Sequence, residues 1–139
     1  MFGEIIIFES EDITSVVLED FPSSSRESKT WKQINEFHFS GLWEILVDEK
    51  GSGKFDSEIS VVTAPNGDSW AFIIPKELVL LISECTGKGN VEVVEAWSEI
   101  EEFKWGWKPK DINSLFFDLV SLANGAKAAG RNLIYWGRL

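Results

Sequence analysis

Few residues in this sequence are suited to acid–base or nucleophilic chemistry. His38 is the only histidine and Cys85 the only cysteine, so a Ser-His-Asp or Cys-His site would have to use one of them. His38 lies between phenylalanines near the start of a predicted helix, where we expect a packed structural side chain. Cys85 lies on the apolar stripe of its helix and is expected to pack as a small hydrophobe. One His and one Cys cannot form a structural zinc site alone. We therefore predict no catalytic residue, no metal site and no cofactor.

Carboxylate pairs offer a second route to catalysis, because glycoside hydrolysis needs two of them facing one cleft. Asp56, Glu58 and Glu77 supply such pairs, but chance pairs are expected among 23 acidic residues and no motif singles one out. A hydrolase is therefore a weaker hypothesis than either of the two binding functions described next.

The segment 90–107 predicts an amphipathic helix with Asn90 as its N-cap. Its apolar face carries Val93, Val94, Trp97 and Ile100. The opposite face carries four carboxylates, which we call the acidic ridge: Glu92, Glu95, Glu99 and Glu102. No Lys or Arg lies three or four residues from Glu95, Glu99 or Glu102. A solvated outer face is the simplest interpretation, and a docking surface for a basic protein is the functional one.

The seven tryptophans are numerous for 139 residues. Trp43, Trp97 and Trp136 fall on predicted inward faces. Trp31, in a polar context, is the best candidate for an exposed aromatic side chain that contacts a partner. Trp105 and Trp107 flank Gly106 and could cap the core or form the lip of a site. The alternative hypothesis is a small-molecule or regulatory domain whose pocket is lined by Trp70, Trp105 and Trp107.

The composition limits the classes of partner. The formal net charge of −10 disfavours nucleic acid and anionic membranes, which both attract basic surfaces, and suits a basic protein. The N-terminal segment has only a short apolar run flanked by acids, and no stretch approaches the length of a membrane span. We expect a cytoplasmic protein without a disulfide.

The hydrophobic periodicity predicts one α+β domain over residues 1–139. The expected architecture is a mostly antiparallel sheet with a central hairpin, covered on one side by about four helices. Strands are predicted at 4–8, 13–18, 58–63, 69–74 and 132–136, helices at 35–47, 75–85, 90–107 and 109–129, and a Ser-rich loop at 21–29.

The chain resembles a family of small, uncharacterised bacterial proteins over residues 39–139. The motifs that carry this resemblance are Leu42-Trp43, Trp70, Pro75-Lys76-Glu77-Leu78, Ala96-Trp97, Glu101-Glu102-Phe103, Gly130 and Leu133-Ile134-Tyr135-Trp136. The resemblance implies a fold and no activity. A looser similarity of class is to bacterial immunity proteins, which neutralise toxin domains by electrostatic complementarity. The leading hypothesis is therefore a non-enzymatic, acidic protein-binding domain, and its specific form is an immunity protein that neutralises a basic toxin domain.

Overall fold

One antiparallel sheet organises the chain. The computed structural model describes residues 1–19, 22–49, 51, 53–85 and 88–139. In chain order, the strands of these residues are β1 (Phe2–Phe8), β2 (Ser28–Lys32), β3 (Val62–Thr63), β4 (Ser69–Ile73) and β5 (Asn132–Arg138). The order across the sheet is β2-β1-β5-β4-β3, and each neighbouring pair is antiparallel. The α+β prediction is confirmed.

The two most apolar strands, β1 and β5, pair at the centre of the sheet. Their register places Ile6 opposite Ile134 and Ile5 opposite Tyr135. Because successive side chains point to opposite faces, this pairing supplies apolar residues to both faces. The predicted hairpin is present as β3 and β4, but it lies at one edge of the sheet and the C-terminal strand is central.

One face of the sheet is covered by helices. They are α1 (Glu36–Val47), α2 (Lys54–Glu58), α3 (Lys76–Ser83), α4 (Lys88–Ser98) and α5 (Pro109–Ala129). The main core lies between them and the sheet, and its largest fully buried side chains include Trp43, Trp97, Tyr135, Phe39, Phe55, Phe72 and Phe116. Trp43 and Trp97 point inward as predicted. Burying aromatic side chains of this size is a large contribution to stability.

A smaller core covers the opposite face. There Ile13, Val16 and Val17 pack against strand residues that include Ile134 and Trp136. The segment 13–18 was predicted as a strand, and this is wrong: Val16–Leu18 forms a 3₁₀ turn. Its β-branched residues are apolar because they cover the sheet, and they form no strand ladder within it.

Two other predicted segments, 58–63 and 21–29, differ from the structure. The segment 58–63 forms a strand only at Val62–Thr63, because its first residue ends α2, which was not predicted. Of the predicted loop 21–29, Phe21 lies outside the described residues, and Ser28 and Lys29 belong to β2. Arg26 holds this loop in place, since its guanidinium donates to Glu9, to Glu19 and to the carbonyl of Pro22.

Candidate functional site

The acidic ridge is divided between a helix and the turns that follow it. Glu92 and Glu95 are exposed on α4, Glu99 is exposed just beyond its end, and Glu102 is half-buried in a 3₁₀ turn at Glu101–Lys104. The prediction of one helix over 90–107 is therefore wrong at both ends. The helix begins at Lys88, so that Asn90 lies inside it, and it ends at Ser98.

Hydrogen bonds and packing explain where α4 ends. The amides of Glu99 and Ile100 donate to the carbonyls of Ala96 and Trp97, three residues back, which tightens the last turn. Ile100 then takes an extended conformation and packs against Gly41 of α1, where an added Cβ would lie 3.0 Å from its Cδ1. This tertiary contact turns the chain away from the helix axis.

Among the side chains that the structure describes, none forms an ion pair with the carboxylates of the acidic ridge. Lys104 pairs instead with Glu101, at 3.3 Å between Nζ and Oε2, and Lys76 lies 3.9 Å from Glu11. A like-signed surface of this kind projects a negative potential into solvent. Because Lys104 and Lys76 pair with acids outside the acidic ridge, they do not neutralise its charge.

Trp105 and Trp107 point in different directions. The side chain of Trp105 is 74% exposed, the largest exposed fraction of any tryptophan that the structure describes. Gly106 then adopts a φ of +77°, a conformation that glycine tolerates best, and turns Trp107 inward. Trp107 contacts the rings of Phe103 and His38, with centroids 5.0 and 5.6 Å away. The two indoles therefore do not form a common lip.

Trp31 is not the exposed aromatic side chain that its polar neighbours suggest. It is half-buried on β2 and stacks on Trp107, with ring centroids 6.0 Å apart and an interplanar angle of 25°. Beside this pair lies an open cleft of about 480 Å³, whose lining includes Gln33 and Asp111. The carboxylate of Asp111 is also used inside the protein, because its Oδ2 accepts from the amide of Lys108 at the start of α5.

Trp70 lies in a different place from the other two tryptophans of the predicted pocket. It is half-buried on β4 and lines a separate depression of about 350 Å³ with Phe37 and Val61. The structure therefore does not bring Trp70, Trp105 and Trp107 into one pocket. The pocket of the alternative hypothesis is not formed as predicted.

His38 is a structural residue in this fold. Only 1% of its surface is exposed, and its Nδ1 accepts from the amide of Asn35, 3.1 Å away, in the capping box that begins α1. Burial lowers its pKa to about 4, although hydrogen bonding to the backbone of Asn35 and Glu102 opposes this. Its Nε2 has no hydrogen bond of standard geometry. The ring is thus a neutral, buried cap with no nucleophile among its described hydrogen-bond partners.

The other candidate catalytic groups are also dispersed. Asp56 and Glu58 are exposed on α2, and Glu77 on α3 pairs with Lys54, at 3.3 Å. Among the described residues, no group of three His, Cys, Asp or Glu side chains is placed to hold a metal ion. Cys85 is half-buried, its Sγ lies 3.3 Å from the carbonyl of Leu81, and burial raises the pKa of its thiol.

Comparison with known proteins adds no relative: no family model, curated protein or solved structure matches the chain. The resemblance to small bacterial proteins thus stays a prediction. In the part of the chain that the structure describes, every helix is too short or too polar to cross a membrane.

Proposed function

We propose that this chain is a non-enzymatic binding domain that docks a basic protein on the acidic ridge, with Trp105 as the apolar anchor. One observation carries the proposal: Glu92, Glu95 and Glu99 are exposed, no ion pair to them occurs among the side chains that the structure describes, and the exposed indole of Trp105 follows closely in the chain.

Charge explains how such a partner would approach. The chain carries 23 acidic and 13 basic residues, so its field attracts cations at long range. Complementary charge raises association rates and suppresses binding of wrong partners more than it raises affinity. Because no described side chain forms an ion pair with it, the acidic ridge can keep its charge until a basic surface neutralises it.

Trp105 supplies what the carboxylates lack. A charged rim contributes little affinity unless an anchor in its centre is desolvated on binding. Tryptophan is enriched at such centres because it buries a large area and loses few rotamers. Leaving an indole 74% exposed has no evident benefit for the fold. Its burial against a partner is therefore the interaction we expect to dominate affinity.

The specific form of the proposal is an immunity-like role. Its partner would be a basic toxin domain, such as a nuclease, whose positive substrate-binding surface the acidic ridge would cover. The support is the charge pattern and the similarity of class, and no active-site geometry is needed, because blocking a surface requires only complementarity.

Affinity capture with matched variants tests the docking surface. The wild type, E95Q/E99Q and E49Q/E58Q would be immobilised and exposed to lysate of the source cells at low and at high salt. Glu49 and Glu58 are exposed acids outside the ridge, so both double variants lose the same charge. A basic protein should be retained by the wild type and by E49Q/E58Q at low salt, and released by salt. E95Q/E99Q should lose it.

The purified partner then allows a quantitative test. We expect E95Q/E99Q to raise its Kd about tenfold at low salt and less at high salt. Trp105→Ala should raise the Kd at least about thirtyfold, as for a central anchor. Leu18→Ala, at another exposed apolar side chain on the opposite face of the sheet, is the control and should change little. Equal Kd values for E95Q/E99Q and E49Q/E58Q would reject the acidic ridge as the docking surface.

A further inference from the structure

A pocket outside the acidic ridge has the opposite charge. It lies where α3, the C-terminal end of α5 and the start of β5 meet, and its volume is about 220 Å³. Its apolar wall is formed by Ile74, Val79, Leu80, Ala126 and Leu133. Of these, Leu80 is 45% exposed and the others are buried. We call this the basic pocket.

Three cations surround the apolar wall of the basic pocket. They are Lys76 on α3, Lys127 on α5 and Arg131 just after α5. No Asp or Glu is present among the described residues that line it. In a chain with ten more acids than bases, three cations and no acid in one pocket lining form a local concentration of positive charge.

Interactions inside the protein leave much of this positive charge available. The Nζ of Lys76 is 3.9 Å from Glu11, but the two side chains are 76% and 83% exposed, and such pairs contribute little. Arg131 is a minor influence on Glu9, whose pKa is lowered chiefly by the hydrogen bond from Arg26. Lys127 lies in the last turn of α5, where a cation is favoured by the helix dipole. That role leaves its ammonium group exposed to solvent.

The backbone around the basic pocket is held in place. Gly130 ends α5 with a φ of +64°, and its amide donates to the carbonyl of Lys127. The amide of Arg131 donates to Ala126, 2.9 Å away, and that of Ile74 donates to Leu133. Since this backbone is already ordered by hydrogen bonds, little of its conformational entropy would be lost when a ligand binds.

We propose that the basic pocket binds a small organic carboxylate with a compact apolar body, such as a short alkyl chain or a single aromatic ring. A volume of about 220 Å³ corresponds to about seven waters, at roughly 30 Å³ each, which suits a ligand of that size. The apolar body lies against Leu80 and Val79. The carboxylate faces Arg131 and Lys127, because a guanidinium matches the two oxygens of a carboxylate.

Hexanoate is a suitable probe, and related molecules separate the two parts of the recognition. Titration of the full chain, followed by amide chemical shifts, should move the signals of Gly130, Asn132 and Leu80. Acetate lacks the apolar body, and 1-hexanol and hexylammonium lack the negative charge. We expect each of the three to bind at least about tenfold more weakly than hexanoate.

Matched charge variants complete the test. K127Q/R131Q should weaken hexanoate binding about tenfold, whereas K29Q/K110Q, which removes the same charge from two exposed lysines elsewhere, should change it less than about twofold. The proposal is overturned if 1-hexanol binds as well as hexanoate, if K127Q/R131Q binds hexanoate like the wild type, or if the shifts occur away from the basic pocket. None of these residues belongs to the acidic ridge, so the result is independent of the docking test.

Discussion

The indole Nε1 of Trp97 donates a hydrogen bond of 2.9 Å to the backbone carbonyl of His38. Both groups are buried, and the bond joins α4 to α1 across the main core. It also fixes the end of α4 from which the turns toward Trp105 begin. The orientation of the acidic ridge therefore depends on a contact made at the opposite face of the same helix.

Trp97→Phe should destabilise the protein by at least about 2 kcal/mol, because a buried carbonyl loses its donor and a cavity remains. Trp105→Phe is the control, since that side chain is 74% exposed and the change should cost less than about 0.5 kcal/mol. The midpoint of urea unfolding measures both. Equal midpoints for the two variants would show that the bond between Trp97 and His38 contributes nothing.

Gly137 on β5 lies under the side chains of Tyr135 and Trp70. A Cβ added there would lie 2.6 Å from the hydroxyl of Tyr135 and 2.7 Å from Cε2 of Trp70. That hydroxyl donates to the carbonyl of Ile34, 2.6 Å away. Gly137→Ala should therefore cost about 1–3 kcal/mol through overpacking, and Tyr135→Phe about 1–3 kcal/mol through the unpaired carbonyl.

A double-mutant cycle checks the physical cause of both effects. Removing the hydroxyl relieves part of the clash, so the double variant should be more stable than the sum of the two losses by at least about 0.5 kcal/mol. Chemical denaturation of the four proteins gives the coupling. Strict additivity would mean that the new methyl group does not meet Tyr135.

His38 makes stability depend on pH. Its pKa is about 4 in the folded protein, below the ordinary value of 6.5, so the unfolded chain binds its proton first as the pH falls. The stability that the buried, neutral imidazole contributes is fully present above about pH 6.5 and is lost as the pH falls from 6.5 to 4. Below pH 4 it changes no further. The folded and ordinary pKa values of His38 differ by about 2.5, which corresponds to a decrease of about 3 kcal/mol in the free energy of unfolding.

His38→Gln separates this effect from the titration of carboxylates. Glutamine at this position can still accept from the amide of Asn35 in a capping box, but it does not titrate. The free energy of unfolding of the variant should fall less than that of the wild type between pH 6.5 and 4, whatever its value at neutral pH. Parallel pH profiles would exclude His38 as the source.

The sequence predicted the elements with the strongest periodicity. The apolar stripe of α5 and its end at Gly130 were expected, as were β1 and β5, because burial of one helix stripe or of a whole strand leaves a clear pattern. β2 was missed because it lies at an edge, where only Trp31 packs on the core and the other side chains are polar. Edge strands have that composition for a physical reason, since exposed charge discourages pairing with other chains.

The candidate site was predictable only in part. The exposure of Glu92 and Glu95 follows from helical spacing alone. The stacking of Trp31 on Trp107 does not, because it joins two distant segments and depends on the turn at Gly106. The one local feature of the sequence that indicates this arrangement is Gly106 between Trp105 and Trp107, because a glycine allows its two neighbours to point in different directions.

The acidic ridge should reduce the stability of the domain. Glu95 lies in the last turn of α4 and Glu99 just beyond it, where the helix dipole disfavours negative charge, and that turn has no basic residue. E95Q/E99Q should therefore raise the free energy of unfolding by about 0.5–1 kcal/mol at low salt, and by less at high salt. Glu36→Gln, in the first turn of α1, should have the opposite effect and lower the free energy of unfolding by roughly 0.3 kcal/mol. Urea unfolding at two salt concentrations measures all three proteins.

A gain in stability on E95Q/E99Q substitution would mean that the wild-type chain retains these carboxylates at a cost to its own fold, as expected of charges that serve a partner. A loss would mean that they support the fold, and the docking proposal would lose its physical basis.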